Sequence, residues 1–326
     1  MIVVTGGAGF IGSALIWALN GRGEEDILVV DQLHQTEKWK NLVGLRFADY
    51  LDKTVFIERL NRGDFGDGLR AILHMGACSA TTEKDADYLM ENNTRYTARI
   101  AAWREDHPRC RLIYASSAAT YGDGAQGYAD DEAMLDGLRP LNMYGYSKHL
   151  FDLMARRNGW LKNIVGLKYF NVFGPNEYHK GDMRSVINKA YPQVRDEGLM
   201  RLFKSHRPDY GDGEQLRDFI YVKDAVAMTL YFLERPEIGG LFNIGTGRTQ
   251  SWNDVAAALF KAADRPLNID YIPMPEDLRG KYQYYTCADL TKLQAAGWST
   301  PCRPLEEAVD DYVRHYLAPD ATLSQT

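Results

Sequence analysis

The feature that most constrains this chain is its start. Ile2-Val-Val-Thr-Gly-Gly-Ala-Gly-Phe-Ile-Gly12 is an apolar run that breaks into glycines, then resumes as a helical pattern through Leu15, Ile16 and Leu19. Ile2, Val3 and Val4 read as a short buried strand, and the glycines at 6, 7, 9 and 12 as a tight turn opening a helix. The free amides and positive dipole end of a helix N-terminus suit a pyrophosphate. Gly7 and Gly9 let the backbone turn and approach phosphates, and Gly12 lets the helix pack closely on the strand. A second run, Ile27-Leu-Val-Val30, ends in Asp31, near the ~20-residue offset at which a carboxylate meets an adenosine ribose. A lone glycine fingerprint is weak. This one stands between a strand and a helix, where a dinucleotide cofactor needs it.

Ala71–His74, Arg111–Ala115 and Ile164–Lys168 read as further strands, separated by helical stretches over about 84–106 and 142–158. Such alternation predicts an α/β fold, a Rossmann-like doubly wound parallel sheet over residues 1–173. Beyond Phe173-Gly-Pro175 the elements shorten. Helices are expected near 183–197, 223–234, 251–263 and 304–316, with strands near 200–203 and 216–221. Residues 174–317 read as a smaller α/β substrate domain, some segments returning to the sheet, and 318–326 as a flexible tail. Ligands of such sheets bind beyond the carboxyl ends of the strands.

Net charge is −6, with no basic tail or arginine-rich helix, so nothing points to nucleic acid. No stretch is apolar enough to span a membrane, and the core strand at the start leaves no room for a signal peptide. Cys78, Cys110, Cys287 and Cys302 are scattered without metal-ligand spacing. A cytoplasmic protein is the expectation. His34, His107 and His315 have no partner at metal-ligand spacing, so no metal is expected. His74, ending a strand, reads as structural. Tyr282-Gln-Tyr-Tyr285 lacks the basic surround of a nucleic-acid stacking platform and reads as packing.

The strongest catalytic signal is Tyr144-Gly-Tyr-Ser-Lys148. Residues four apart share a helix face, so Tyr144 and Lys148 can enter one cleft. Hydride transfer at an alcohol needs a group that moves the hydroxyl proton. A tyrosine with its ordinary pKa of ~10 is a poor base, and bringing it to ~7 takes roughly 4 kcal/mol from nearby positive charge. Lys148 and a nicotinamide ring supply such charge, and Lys148 can also hold the nicotinamide ribose. Ser116, at a strand end, would donate to the reacting oxygen.

Together these features resemble the extended short-chain dehydrogenase/reductase family of nucleotide-sugar epimerases and dehydratases. Further segments carry the resemblance: Met75–Glu83, Tyr114–Gly122, Tyr169–Pro175, His179-Lys-Gly181, Arg217–Val222 and Phe242–Arg248 lie in the family's order. As a set they are similar to the branch acting at C6″ of ADP-heptose, over nearly the whole chain. The resemblance implies epimerisation through a 6″-keto intermediate, with no net redox, supplying heptose for the lipopolysaccharide inner core of a Gram-negative bacterium. Dehydratases carry an Asp-Glu pair where this chain has Ser117-Ala-Ala-Thr-Tyr-Gly122, so dehydration is disfavoured.

The resemblance also implies Lys180 as a second acid/base opposite Tyr144. If the keto sugar rotates about C5″–C6″, its oxygen needs a proton donor in a new place. Cofactor contacts are implied at Gly6, Gly9, Phe10, Ile11, Gly12, Asp31, Gln32, Lys38, Lys53, Met75, Gly76, Ala77, Cys78, Ser79, Asn92, Lys148 and Val172. Asp31 alone favours NAD; Lys38 and Lys53 lead the resemblance to NADP. On the substrate side it implies Ser116, Asn171, Lys180, Phe203, Lys204, Ser205, His206, Arg217 and Tyr282, with Arg217 gripping a diphosphate. Asp182 and Lys189 belong to the same set but depart from the family's Ser and His, and 205–216 is longer than usual. A homo-oligomer is implied, a pentamer in some relatives. Two alternatives stand beside this reading: a nucleotide-sugar 4-epimerase of the same family, and a binding module that holds NADP without chemistry. The second is disfavoured because Tyr144 and Lys148 are both present.

Overall fold

The computed structural model describes residues 1–279 and 282–325. Its strands in chain order begin with β1 (Ile2–Thr5), β2 (Ile27–Asp31), β3 (Asp49–Asp52), β4 (Ala71–His74), β5 (Arg111–Ser117) and β6 (Val165–Tyr169). There follow β7 (Asn171–Phe173), β8 (Met200–Phe203), β9 (Leu216–Arg217), β10 (Phe219–Tyr221), β11 (Gly240–Ile244), β12 (Gln250–Ser251) and β13 (Ile269–Ile272). Seven form one parallel sheet in the order β11-β6-β5-β4-β1-β2-β3. The doubly wound sheet is as expected. The order reverses between β1 and β4, and a crevice opens there at the carboxyl ends.

The central strands β1, β2 and β4 are short, largely apolar and buried on both faces, as helices on each side require. Their period of two sorts them: Ile2, Val4, Ala71 and Leu73 join one core, Val3, Leu28, Val30 and Ile72 the other. The helices Phe10–Gly21 and Val222–Leu233 cover the first face; Lys53–Asn61, Tyr96–Asp106 and Met143–Arg157 cover the second.

Several elements differ from expectation. β3 and β11 carry no clear strand signal: β3 is a half-exposed edge, and β11 joins the sheet beside β6 from about seventy residues on. The 216–221 strand splits at Asp218, so β9 pairs with β12 and β10 with β7. The helix from Ala86 to Asp106 widens into a π turn over Met90–Arg95, a local break often found at functional sites. The chain's end docks instead of fraying. Leu323 is buried and its N–H donates to Asn176 Oδ1 at 3.0 Å, while Tyr178 OH donates to the Ala321 carbonyl at 2.8 Å. No helix among the described residues is long and apolar enough to cross a membrane. None of their His, Cys, Asp and Glu form a group of three placed to hold a metal.

Candidate active site

At the ends of β1, β2 and β4 lies a cleft of about 450 Å³. Gly6, Gly9, Phe10, Ile11, Gly12, Asp31, Gln32, Lys38, Lys53, Met75 to Ser79, Asn92 and Lys180 all line it. Two glycines are needed for space. A Cβ on Gly12 would sit 2.1 Å from the Gly6 carbonyl oxygen, and one on Gly6, whose φ is +64°, 2.8 Å from the backbone of Gly76. The turn is thus wedged between the helix and the segment after β4. Its Gly7, Ala8 and Gly9 amides are bonded within the protein, which leaves the first amides of the helix, at Phe10 to Gly12, for phosphates in the cleft those residues line.

At the far end Asp31 is tied down. Its Oδ2 accepts from Ala8 N at 2.9 Å, and its Oδ1 from Gln32 N at 2.7 Å and from Lys38 Nζ at 2.6 Å. Lys53 donates to Asn92 Oδ1 at 2.7 Å. Burial lowers its pKa first, and the charge of Lys38 adds to that, so the two ammonium groups and Asp31 share one neighbourhood. Asn93, on the π turn and not singled out from sequence, clamps the opposite wall. Its amide pairs with both Cys78 N and Cys78 O, and reaches Ser147 Oγ at 3.0 Å.

Tyr144 and Lys148 stand on the Met143–Arg157 helix, whose first turn is capped by the Asn142 side chain accepting from Gly145 N. Lys148 Nζ donates to the Ala115 carbonyl at 2.9 Å. Burial pushes this ammonium down to about 8, with Asp152 opposing. Burial also raises Tyr144, opposed by a hydrogen bond with Ser117, while Cys78 on the cleft wall adds to the rise. Ser117, whose Oγ also accepts from Ala119 N at 3.1 Å, is therefore the serine nearer the tyrosine, and Ser116 is engaged elsewhere. Strand alternation explains the correction: Ser116 shares a face with Tyr114, and both donate to buried Asp152, at 2.7 and 2.8 Å. Ser117 points the other way.

Lys180 lies on the Tyr178–Met183 turn with its ammonium 5.1 Å from the centre of the Phe10 ring. Burial lowers its pKa and Glu177 opposes this. Glu177, missed from sequence, anchors the turn at both ends, accepting from Gly174 N at 3.3 Å and from Ser185 Oγ at 2.6 Å. His179 also lines the cleft and is held neutral by burial, its pKa down to about 4.

The other expected residues divide. Val172, in β7, pairs with Ile220 of β10, and neither it nor Lys148 is among the residues lining the cleft. Asn171 Nδ2 donates to Asp218 O at 3.1 Å and Thr286 Oγ1 at 3.3 Å. Asp182 and Lys189 are exposed, Lys189 Nζ donating to Asp182 O at 3.1 Å, away from the cleft lining. Phe203 ends β8 and Lys204, Ser205 and His206 follow it, with the turn fixed by Ser205 N on Asp212 Oδ1 at 2.7 Å and His206 N on Tyr284 OH at 2.8 Å.

Arg217 is 6% exposed and has no carboxylate partner among the described residues; its donors meet the carbonyls of Leu216 and Gln283. Its guanidinium lies 5.2 Å from the Tyr282 ring and 5.9 Å from the Trp252 ring, and Trp252 Nε1 donates to Tyr282 OH at 2.8 Å. A buried cation without a counter-charge, framed by aromatic faces, suits an anionic ligand.

A sheet with this crossover, a glycine-wedged cleft and a Tyr-x-x-x-Lys helix beside it defines a class of dinucleotide-dependent enzymes. The chain belongs to the NAD dependent epimerase/dehydratase family, whose model matches residues 2–245. The family's cofactor is a nicotinamide dinucleotide, and the cradle around Gly6 and Gly12, which any Cβ would fill, fits one. More particularly, the chain is 57% identical over 318 residues to a Nitratidesulfovibrio vulgaris protein named ADP-L-glycero-D-manno-heptose-6-epimerase, covering 98% of each. A Fusobacterium nucleatum protein of the same name is 47% identical over 327 residues, again covering 98% of each. The crystal structure of the Helicobacter pylori protein of that name superposes with a TM-score of 0.80 at 26% identity, covering 96% of this chain and 95% of that one. A Thermus thermophilus UDP-glucose 4-epimerase bound to NAD, 24% identical with a TM-score of 0.74, shares the fold.

Proposed function

We propose that this protein inverts C6″ of ADP-heptose, interconverting the D-glycero-D-manno and L-glycero-D-manno forms through a transient 6″-keto sugar, with NADP as its resident cofactor. The observation that carries this reading is that two proton-transfer groups converge on one cofactor cleft. Lys180 lines it beside Phe10, and Tyr144, outside the lining itself, stands near Cys78 on its wall. The near-full-length relatives named for this activity support the choice of sugar.

A nicotinamide dinucleotide, which Gly6, Gly9, Gly12 and Asp31 would hold, would supply reversible hydride transfer at C6″. The chain's residues manage the protons. Tyr144 takes the C6″ hydroxyl proton, Ser117 donates a hydrogen bond to the reacting oxygen, and the Lys148 ammonium offsets the charge on the phenolate. Burial alone raises the phenol, so positive charge beside it is required. After rotation about C5″–C6″ the oxygen lies elsewhere, and Lys180 serves it there. Arg217 holds the diphosphate. Lys38 and Lys53 set two ammonium groups beside Asp31, with Asp52 adjoining Lys53, and these lysines favour the 2′-phosphate of NADP.

The test is an NMR assay of ADP-D-glycero-D-manno-heptose with purified protein and no added cofactor. Appearance of the L-glycero epimer is expected. An unchanged spectrum that persists after NADP is supplied overturns the heptose assignment. The alternative, epimerisation at a ring carbon, gives Lys180 no role. Lys180→Ala is expected to lower turnover roughly 10²–10⁴-fold, and near-normal turnover favours the alternative.

A further inference from the structure

Behind the catalytic face lies a buried ion pair that this chemistry leaves unused. Asp152 is 0% exposed and Lys168 1%, with Lys168 Nζ 3.1 Å from Asp152 Oδ2. Asp152 also accepts from Tyr114 OH and Ser116 Oγ. Lys168 donates to Thr120 Oγ1 at 2.6 Å, and its ammonium lies 4.7 Å from the centre of the Tyr121 ring. Stability is a poor reason for such a pair, since well-packed apolar residues of similar volume serve as well.

Its placement suggests a better reason. Tyr144, Lys148 and Asp152 are spaced by four along one helix, so they share a face. Each ties to one of three consecutive residues at the end of β5: Tyr144 to Ser117, Lys148 to the carbonyl of Ala115, Asp152 to Ser116. Lys168 sits directly opposite Ser116 in the register of β5 and β6.

We propose that Asp152 and Lys168 are a positioning unit: Asp152 fixes the catalytic helix on the end of β5 and sets a negative charge behind the Lys148 ammonium, and Lys168 pins Asp152 in place. The proposal rests on the reading of Tyr144 and Lys148 as the catalytic pair, and is independent of which sugar is bound. The groups facing Lys148 are Asp152 on its own helix, His74 from β4 and Cys78 from the segment after it, with Tyr144 one helical turn away. His74 is held neutral by burial. Asp152 is therefore the carboxylate that opposes burial in keeping Lys148 charged.

The test titrates Lys148 in the full chain by NMR of ¹³Cε-labelled lysine, assigned by the signal lost in Lys148→Arg, alongside the pH profile of kcat. Asp152→Asn leaves Lys168 buried without a counter-charge and is expected to melt earlier. Asp152→Asn/Lys168→Met removes both charges and is expected to recover folding. In Asp152→Asn the Lys148 midpoint, about 8 in the native chain, is expected to fall by at least one unit, a tenfold loss of proton affinity; in the double variant, where the Lys168 charge is gone as well, the fall is expected to be smaller but measurable. The alkaline limb of kcat should move with it, leaving KM little changed. A folded double variant with the native Lys148 midpoint and native alkaline limb overturns the proposal. So does a single variant whose activity falls only with its folded fraction. The titration needs no substrate, so failure of the heptose reading remains a separate result.

Discussion

Replacing Gly12 by alanine tests the cofactor turn directly. Gly12 lies in the first turn of the Phe10–Gly21 helix, where alanine is conformationally welcome, so only space opposes it. The new Cβ would lie 2.1 Å from Gly6 O, 2.7 Å from Gly6 C and 2.9 Å from Gly7 Cα, all backbone. An ordinary carbon–oxygen contact is about 3.3 Å, so the turn must move by about 1 Å. It has little room to do so. Gly6 already abuts Gly76, and its carbonyl accepts from Gly9 N at 2.9 Å. Overpacking of this kind costs about 1–3 kcal/mol. For a chain of this length, with about 0.7 kcal/mol/K of unfolding entropy, that lowers Tm by about 1.4–4.3 °C. The effect on binding is larger. A 1 Å displacement of the phosphate-facing amides forfeits one or two charge-assisted hydrogen bonds, each worth about 1.5–3 kcal/mol, so NADP affinity should fall roughly 10–10⁴-fold. Equilibrium dialysis of NADP and a thermal melt measure both. Native affinity with a Tm change below about 1 °C refutes the reasoning, because the pyrophosphate would then not be held at this turn.

Other outcomes follow from the same geometry. Ser117→Ala should lower kcat about 10²–10³-fold, while Ser116→Ala, which strips a donor from Asp152, should cost about 1–3 kcal/mol in urea unfolding with less effect on kcat. The opposite pattern would return the catalytic role to Ser116. Lys38→Met and Lys53→Met should each weaken NADP about 10–100-fold and leave NAD little affected; equal losses for both dinucleotides would remove these lysines from the 2′-phosphate. His74, buried between Thr5 and Thr97 with its pKa lowered to about 3 by burial, stays neutral in the fold. The unfolded chain takes up that proton first as pH falls below about 6.5. Stability is therefore lost between there and about 3, at about 1.4 kcal/mol per pH unit. Urea unfolding at several pH values should show His74→Gln with a slope shallower by about one proton, and an unchanged slope would mean another group titrates.

Much of this protein is local, and local patterns are legible along the chain. The opening strand, turn and helix follow from β-branched residues, glycines and a 3.6-residue period within one stretch of about twenty residues. The pairing of Tyr144 with Lys148 needs only the pitch of a helix. Asp31 and the lysines near it needed only the offset from the glycines and the resemblance. What tertiary structure decided was which of two equivalent neighbours faces the cleft, and which distant segments meet. Ser116 and Ser117 are chemically alike, and period-two alternation says only that they diverge; the packing of the Met143–Arg157 helix over Tyr114 decides that Ser116 goes to Asp152. Lys180 became a cleft residue because Glu177 closes its turn and Phe10 receives it. The chain's end, polar enough to read as a tail, is ordered by Asn176 and Tyr178. Asp152 and Lys168, sixteen residues apart on a helix and a strand, carry no signal of pairing until the sheet brings them together in a dry interior. Contacts set by short-range periodicity were fixed by sequence order alone; those set by the balance of burial among distant segments existed only once the sheet had closed its register.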